Sequence, residues 1–118
     1  MRLIALDLST SRTGVAIFSE SGELVKRFSI VPDDKLSNFH KIKFIVDELR
    51  PHFLEVDDCI IEGIFLNTFA GGLQNVTGFE LLARLSGAVI DSWLHIYDKV
   101  PVLFKATEAR KLAGVKSS

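Results

Sequence analysis

The N-terminal segment, residues 1–18, constrains the fold more than any other stretch of the chain. Its apolar run Leu3–Leu6 is typical of a strand buried on both faces, and Asp7 follows it directly. Turn-forming Ser and Thr residues then lead to Gly14 and a second apolar run, Val15–Phe18. The segment therefore predicts a strand, a tight polar turn and a second strand, with an acidic side chain where the first strand ends.

A carboxylate in this position needs a compensating partner if it is buried, such as a cation or hydrogen bonds. Asp7 fits three interpretations. In the first it is a metal ligand, and in the second it belongs to a phosphate-binding hairpin built from hydroxyl and backbone N–H groups. In the third it caps the turn through its own backbone. The residues of the turn alone do not choose among these three.

A second acidic residue occurs in the same setting later in the chain. Cys59–Ile61 is a short apolar run that ends at Glu62. If the two strands are parallel neighbours, Asp7 and Glu62 emerge at the same carboxyl edge, where open α/β sheets bind ligands. The pair is then a candidate site for Mg²⁺ or Mn²⁺. The alternative is two acids on separate loops.

Composition narrows the class of protein. The 118 residues suffice for a single domain, 1–118, and a content of 47% hydrophobic and 25% charged residues excludes a disordered chain. No apolar run approaches the roughly 20 residues that cross a bilayer. Because Cys59 is the only cysteine, no internal disulfide can form, and we expect a cytoplasmic protein with a buried, reduced thiol.

The remaining elements follow from periodicity and turn signals. Glu20–Gly22 predicts a hairpin connection, and Asp33 or Asp34 caps a helix that Pro51 closes. The predicted helices and last strand are Lys35–Leu49, Asn75–Tyr97, Pro101–Phe104 and Thr107–Ala113. Three antiparallel strands, helix, strand, long helix, strand and short helix is the order of a ribonuclease H-like α/β fold, a mixed five-stranded sheet with flanking helices.

The long helix Asn75–Tyr97 is apolar nearly all round, which predicts burial on two sides. One side faces the sheet, and the other needs a partner. Ala83 and Gly87 allow close approach of a second helix, which favours a homodimer interface; a simple core helix is the alternative.

Two stretches carry candidate nucleic-acid contacts. The Gly-rich residues 66–74 lie beside Phe65 and include Phe69, aromatic side chains that stack on bases or fill the core. The C-terminal stretch is basic, with Lys105, Arg110 and Lys111 among five basic residues from position 99 onward against one acid. It is either a phosphate-binding edge or a solvated helix face.

Taken together, the motifs resemble the RuvC family of Holliday-junction resolvases, particularly its smaller phage-type members. The matching pieces are Ala5–Gly14, Ile60–Phe65, Leu85–Ala88 and the strand after Pro101 that leads to Arg110 and Lys111. They occur in order over the whole chain, and the ordered set is more specific than any one of them.

The resemblance implies a homodimer that cuts four-way DNA junctions with Mg²⁺ or Mn²⁺. Asp7 and Glu62 match the family's metal-binding acids, and Lys111 matches a lysine that supports the scissile phosphate. Phe65 occupies the place of an aromatic residue that contacts DNA at the crossover. The other expected DNA contacts are Arg12, Phe69, Lys105 and Arg110.

The chain departs from the family at its C-terminus. Family members carry one or two further acids on a last helix, and this sequence stops at Ser118, where that helix would begin. We therefore expect a truncated or degenerate form with weak metal affinity and low activity. Two other functions stay open: an actin-like or sugar-kinase-like ATP-binding fragment, and a non-catalytic DNA-binding dimerisation module without membrane association.

Overall fold

The computed structural model describes residues 2–62 and 76–104. These residues form five strands and two helices: β1 (Leu3–Asp7), β2 (Thr13–Phe18), β3 (Leu24–Ile30), α1 (Asn38–Phe53), β4 (Asp58–Glu62), α2 (Val76–Ile96) and β5 (Val102–Phe104). The predicted element order is confirmed across this part of the chain. The expected helix Thr107–Ala113 lies outside the described residues.

The five strands form one mixed sheet in the order β3-β2-β1-β4-β5. The first three strands are antiparallel neighbours, whereas β4 runs parallel to both β1 and β5. This topology confirms the predicted ribonuclease H-like α/β fold. The antiparallel trio is closed by short turns, and the parallel strands are reached through α1 and α2, as crossover connections require.

One face of the sheet carries the core. Successive strand side chains alternate between faces, so Ile4 and Leu6 share a face with Val15, Ile17 and Ile61, their register neighbours and all buried. The buried residues of α1 and α2 pack on this face. On the opposite face, the intervening strand residues are only half-buried: Leu3, Ala5, Ala16, Phe18 and Ile60.

The predicted hairpin between β2 and β3 is present. Gly22 has a φ of +86°, a conformation that residues with a Cβ rarely adopt. Its N–H donates to the carbonyl of Ser19 over 2.9 Å, and the N–H of Ser19 donates to the carbonyl of Glu23 over 2.8 Å. The glycine thus permits the reversal that returns β3 alongside β2.

The first helix differs from its prediction at both ends. Its cap is Ser37, whose hydroxyl accepts the backbone N–H of His40 over 3.1 Å, and not Asp33 or Asp34. Asp33 instead accepts the N–H of Lys35 within a preceding turn. The helix also continues through Pro51, because its last residue, Phe53, is completely buried and the core contact holds the final turn.

The second helix buries one side and exposes the other. Leu85, Val89 and Trp93 recur every four residues and are completely buried. The opposite side is the α2 outer face, defined by the exposed residues Glu80, Ala83, Arg84, Gly87, Asp91 and His95. The prediction of a helix with little polar surface was therefore wrong, since the charged residues fall together on one stripe. Over the described ranges, the structure contains no helix long and apolar enough to cross a membrane.

Candidate functional site

The acids that end β1 and β4 are neighbours in the sheet. The two strands are parallel, and Leu6 lies opposite Ile61 in their register. Each of these residues is followed by an acid that ends its strand, Asp7 on β1 and Glu62 on β4. The sheet therefore places the two acidic residues side by side at one carboxyl edge, although they are far apart in the chain.

Both acids belong to the half-buried face of the sheet. Because side chains alternate along a strand, Asp7 points away from the face of Ile4 and Leu6, and Glu62 is on the same side as Asp7. Asp7 is exposed and Glu62 is half-buried. On the other flank of Asp7, its register partner is Gly14, where an added Cβ would meet the Cβ of Asp7 at an ordinary 3.5 Å.

The turn after Asp7 is held by its own hydroxyl groups. Thr13 is completely buried; its hydroxyl donates to the carbonyl of Ser9 over 2.8 Å and accepts the N–H of Ser9 over 3.3 Å. Ser9 Oγ lies 2.9 Å from Ser11 Oγ and accepts the N–H of Ser11. These bonds hold the backbone that carries Asp7. They also engage three hydroxyls, those of Ser9, Ser11 and Thr13, that the phosphate-hairpin interpretation would use for a ligand.

Thr13 stabilises the turn that follows Asp7, a role that its turn-forming residue type alone does not predict. The available signal was its place four residues after Ser9, at the first position of the next strand. From there its buried side chain bonds back to the backbone of Ser9, which joins the two ends of the turn.

Arg12 is the predicted DNA-contacting residue that the structure describes. It is exposed in the same turn, and its Nε donates to Ser29 Oγ on β3 over 3.2 Å. Arg12 thus lies at the edge of the sheet that carries Asp7. The other predicted site residues, Phe65, Phe69, Lys105, Arg110 and Lys111, lie outside the described residues.

The donor set at this edge suits a hard divalent cation. Carboxylate oxygens are the ligands that Mg²⁺ prefers, and Asp7 and Glu62 supply them from adjacent strands. Within residues 2–62 and 76–104, no group of three or more His, Cys, Asp or Glu side chains is arranged to hold a metal ion. Among the described residues, this edge therefore offers two carboxylate side chains and no larger group of metal-ligating residues.

The chain resembles known proteins in its structure but not in its sequence. No protein-family model matches the chain, and no curated protein matches it significantly. Among solved structures, RuvC from T. thermophilus in complex with a Holliday junction substrate matches with a TM-score of 0.75 at 11% identity, over 94% of this chain and 68% of that one. A structure of Thermus thermophilus RuvC matches with a TM-score of 0.70 at 13% identity, over 98% of this chain and 70% of that one. The chain therefore has the ribonuclease H-like fold in the form found in RuvC.

Proposed function

We propose that this chain is the core of a metal-dependent, structure-selective endonuclease that acts on branched DNA, four-way junctions in particular. The fold supports the proposal, because RuvC of T. thermophilus has the same architecture and was solved with a Holliday junction substrate. A shared fold alone does not assign a reaction, so the argument depends on the site.

The observation that carries the proposal is the adjacent placement of Asp7 and Glu62 at one carboxyl edge. Two carboxylates at neighbouring strand ends repel each other unless a cation lies between them. We assign both to holding Mg²⁺ or Mn²⁺. When bound, such a cation supplies Lewis-acid activation for hydrolysis of a phosphodiester.

The chain's own residues orient the substrate around this pair. The hydroxyl bonds of Thr13 hold the turn, and with it the carboxylate of Asp7. The exposed guanidinium of Arg12 at the same edge is suited to a DNA phosphate. We further assign Lys111 to the scissile phosphate.

Four more residues are proposed to contact the DNA. Phe65 and Phe69 are assigned to the bases at the branch, and Lys105 and Arg110 to phosphates of the arms. Positive charge spread in this way gives affinity without sequence preference, which suits a substrate recognised by its branched shape.

A second copy of the chain is the proposed protein partner. A four-way junction presents symmetric strands, and a two-fold dimer would bring one carboxylate pair to each of two strands. The α2 outer face is the proposed contact, because it is exposed and has the small residues Ala83 and Gly87 near its middle.

The test measures Mn²⁺ binding by calorimetry and cleavage of a synthetic four-way junction, for the unsubstituted chain and for Asp7→Asn and Glu62→Gln. We expect weak Mn²⁺ binding and slow cleavage by the unsubstituted chain. Mn²⁺ binding and cleavage should both disappear in Asp7→Asn, because the amide replaces an anionic ligand. Since Asp7 is exposed, the substitution should leave the surrounding fold unchanged.

The matched control is Asp98→Asn. Asp98 is exposed and precedes Lys99, whose Nζ lies 2.7 Å from Asp58 at the start of β4, the opposite edge of the sheet. This variant should bind Mn²⁺ as the unsubstituted chain does. Equal Mn²⁺ binding by Asp7→Asn would refute the metal site. Junction binding with no cleavage under any metal would instead support a non-catalytic DNA-binding module.

A further inference from the structure

The half-buried face of the sheet, which carries Asp7, continues onto the edge strand β3. Side chains in register across neighbouring strands share a face. Asp7 is paired with Gly14, and Gly14 is paired with Ser29 of β3. Two residues before Ser29, Arg27 belongs to the same face, opposite Ala16, and it is exposed. The edge strand therefore adds a basic side chain to the face that ends in the acidic pair.

Arg12 lies over the same part of this face. Its Nε donates to Ser29 Oγ over 3.2 Å, so the turn residue is tied to the end of β3. This bond uses one of the five N–H donors of an exposed guanidinium. Because Arg27 is two residues from Ser29 on the same side of the strand, Arg12 and Arg27 together place two guanidinium groups along β3.

Small side chains separate Arg27 from Asp7. Gly14 and Ala16 of β2 and Ala5 of β1 lie between them on this face, and all three are half-buried. With strands about 4.8 Å apart and a rise of about 3.4 Å per residue, the Cα atoms of Arg27 and Asp7 are roughly 12 Å apart. A long arginine side chain can extend over such low neighbours. Arg27 is thus placed for a phosphate beside the one at the carboxylates.

The neighbouring basic residue on β3 belongs to the other face. Lys26 is the register partner of Ile17, a buried core residue, and its Nζ lies 5.8 Å from the ring centroid of Phe28. The Phe28 ring in turn lies 4.7 Å from that of His52 on α1. Lys26 and Arg27 therefore have the same charge and adjacent positions, and both are exposed, but they lie on opposite faces of the sheet.

A basic side chain on an edge strand has two possible uses. It can prevent a second strand from pairing with the open edge, or it can bind an anion from outside. Lys26 would serve the first use as well as Arg27 does. Within residues 2–62 and 76–104, Arg27 forms no ion pair with an acidic side chain. Its place beside Arg12 on the face of Asp7 favours the second use, because a guanidinium can donate two parallel bonds to one phosphate.

We propose that Arg27 binds a backbone phosphate of the DNA, next to the phosphate held at Asp7 and Glu62. The proposal rests on the proposed nuclease function and extends its DNA contact across the half-buried face to the edge strand. Because the contact is to the backbone, it strengthens binding without a preference for base sequence.

The experiment compares Arg27→Gln with Lys26→Gln in metal-free binding to a four-way junction, measured by fluorescence anisotropy over a series of salt concentrations. Each substitution removes one positive charge from β3. Arg27→Gln should raise Kd about three- to tenfold and make the slope of log affinity against log salt less steep by about 0.9. Lys26→Gln should change Kd by less than about twofold at 0.15 M salt, where charges more than about 8 Å from a phosphate are largely screened. Arg27→Lys should retain most of the affinity, because it keeps the charge.

A second measurement locates the phosphate. Junctions carry a single neutral methylphosphonate at successive positions near the branch. At one position the replacement should weaken binding by the unsubstituted chain and leave binding by Arg27→Gln unchanged, because that variant has already lost the contact. Equal weakening of both proteins at every position would overturn the assignment.

The remaining outcomes separate this contact from the proposed function. Equal loss of affinity in Arg27→Gln and Lys26→Gln would overturn the assignment to one face and leave a general effect of charge. Unchanged affinity in Arg27→Gln, with normal junction binding by the unsubstituted chain, would overturn this contact alone. No junction binding by the unsubstituted chain would overturn the proposed function, and this contact with it.

Discussion

Burial of the only cysteine makes the stability of the fold depend on pH. Cys59 is 2% exposed on β4 and belongs to the hydrophobic core that the sheet shares with α1 and α2. Burial raises the pKa of its thiol from an ordinary 9.0 to about 12, and the charge of Asp58 adds to the increase. The folded state therefore holds the neutral thiol over a pH range in which the unfolded chain carries a thiolate.

This pKa predicts a loss of stability in alkali. Below pH 9 the thiol is protonated in both states and its contribution is constant. Between pH 9 and about 12 the unfolded state binds fewer protons, so the free energy of unfolding falls by at most about 1.4 kcal/mol per pH unit. Urea unfolding at several pH values should show a shallower decline for Cys59→Ala than for the unsubstituted chain. Parallel declines would contradict the assignment.

Tyr97 joins the end of α2 to the connection between α1 and β4. Its hydroxyl donates towards the carbonyls of Phe53 at 3.0 Å and Val56 at 2.6 Å, and its ring lies 4.5 Å from that of Trp93. The Tyr97 hydroxyl thus satisfies backbone carbonyls of the segment in which the chain leaves α1.

We expect Tyr97→Phe to lower the free energy of unfolding by about 1 kcal/mol, because the ring contact stays and the hydrogen bond is lost. Chemical denaturation followed by Trp93 fluorescence measures this change. Val100→Ala, at a side chain 69% exposed, should change stability by less than about 0.5 kcal/mol. An equal effect of the two substitutions would show that the hydroxyl contributes nothing.

Among the elements, α1 begins where a side chain can accept its first free N–H groups. Asp33 and Asp34 precede the helix by several residues, and Ser37 is the residue next to its first turn. The hydroxyl of Ser37 also lies 2.6 Å from His40 Nδ1, so the serine contacts both the backbone and the side chain of His40. The helix start is thereby set by one residue.

Ser37→Ala should destabilise the protein by about 1 kcal/mol, because the N–H of His40 loses its acceptor. Ser37→Asp should restore most of the loss, since Asp is an equally good cap and its charge favours the helix N-terminus. Thermal unfolding by circular dichroism compares the three proteins. If Ser37→Ala were as stable as the unsubstituted chain, the Ser37 cap would not be what stabilises the start of α1.

For the whole molecule, binding to DNA and cleavage should respond differently to the same substitution. Affinity for a junction comes from positive charge distributed over the surface, whereas cleavage needs ligands in fixed positions. Without metal, Asp7→Asn should bind a four-way junction as tightly as the unsubstituted chain or up to about fivefold more tightly, because an exposed negative charge near phosphate is removed.

A gel-shift series at stated salt concentrations measures this affinity, with Arg12→Ala as the opposite change. That variant should weaken binding and lower the salt dependence, since it removes an exposed positive charge from the same edge. Weaker binding by Asp7→Asn would argue that Asp7 supports the fold of the turn and does not face the DNA.

Local patterns in the sequence determined the elements. The run Leu3–Leu6 followed by Asp7 predicted both a buried strand and its acidic end, and the helical spacing of apolar residues predicted the long helix that is α2. These features could be read because each depends on residues within a few positions of one another: alternation in a strand and a period of 3.6 in a helix. The order of the predicted elements then indicated the ribonuclease H-like sheet that the structure confirms.

The tertiary structure decided what depends on contacts between distant residues. It set the register that brings Glu62 beside Asp7, the inward turn of Thr13, and the continuation of α1 through Pro51 to the buried Phe53. It also left exposed the side of α2 on which the helical spacing places the charged residues. Strand pairing and burial are settled by the packing of the whole chain, because the same local pattern is compatible with several partners until the core is assembled.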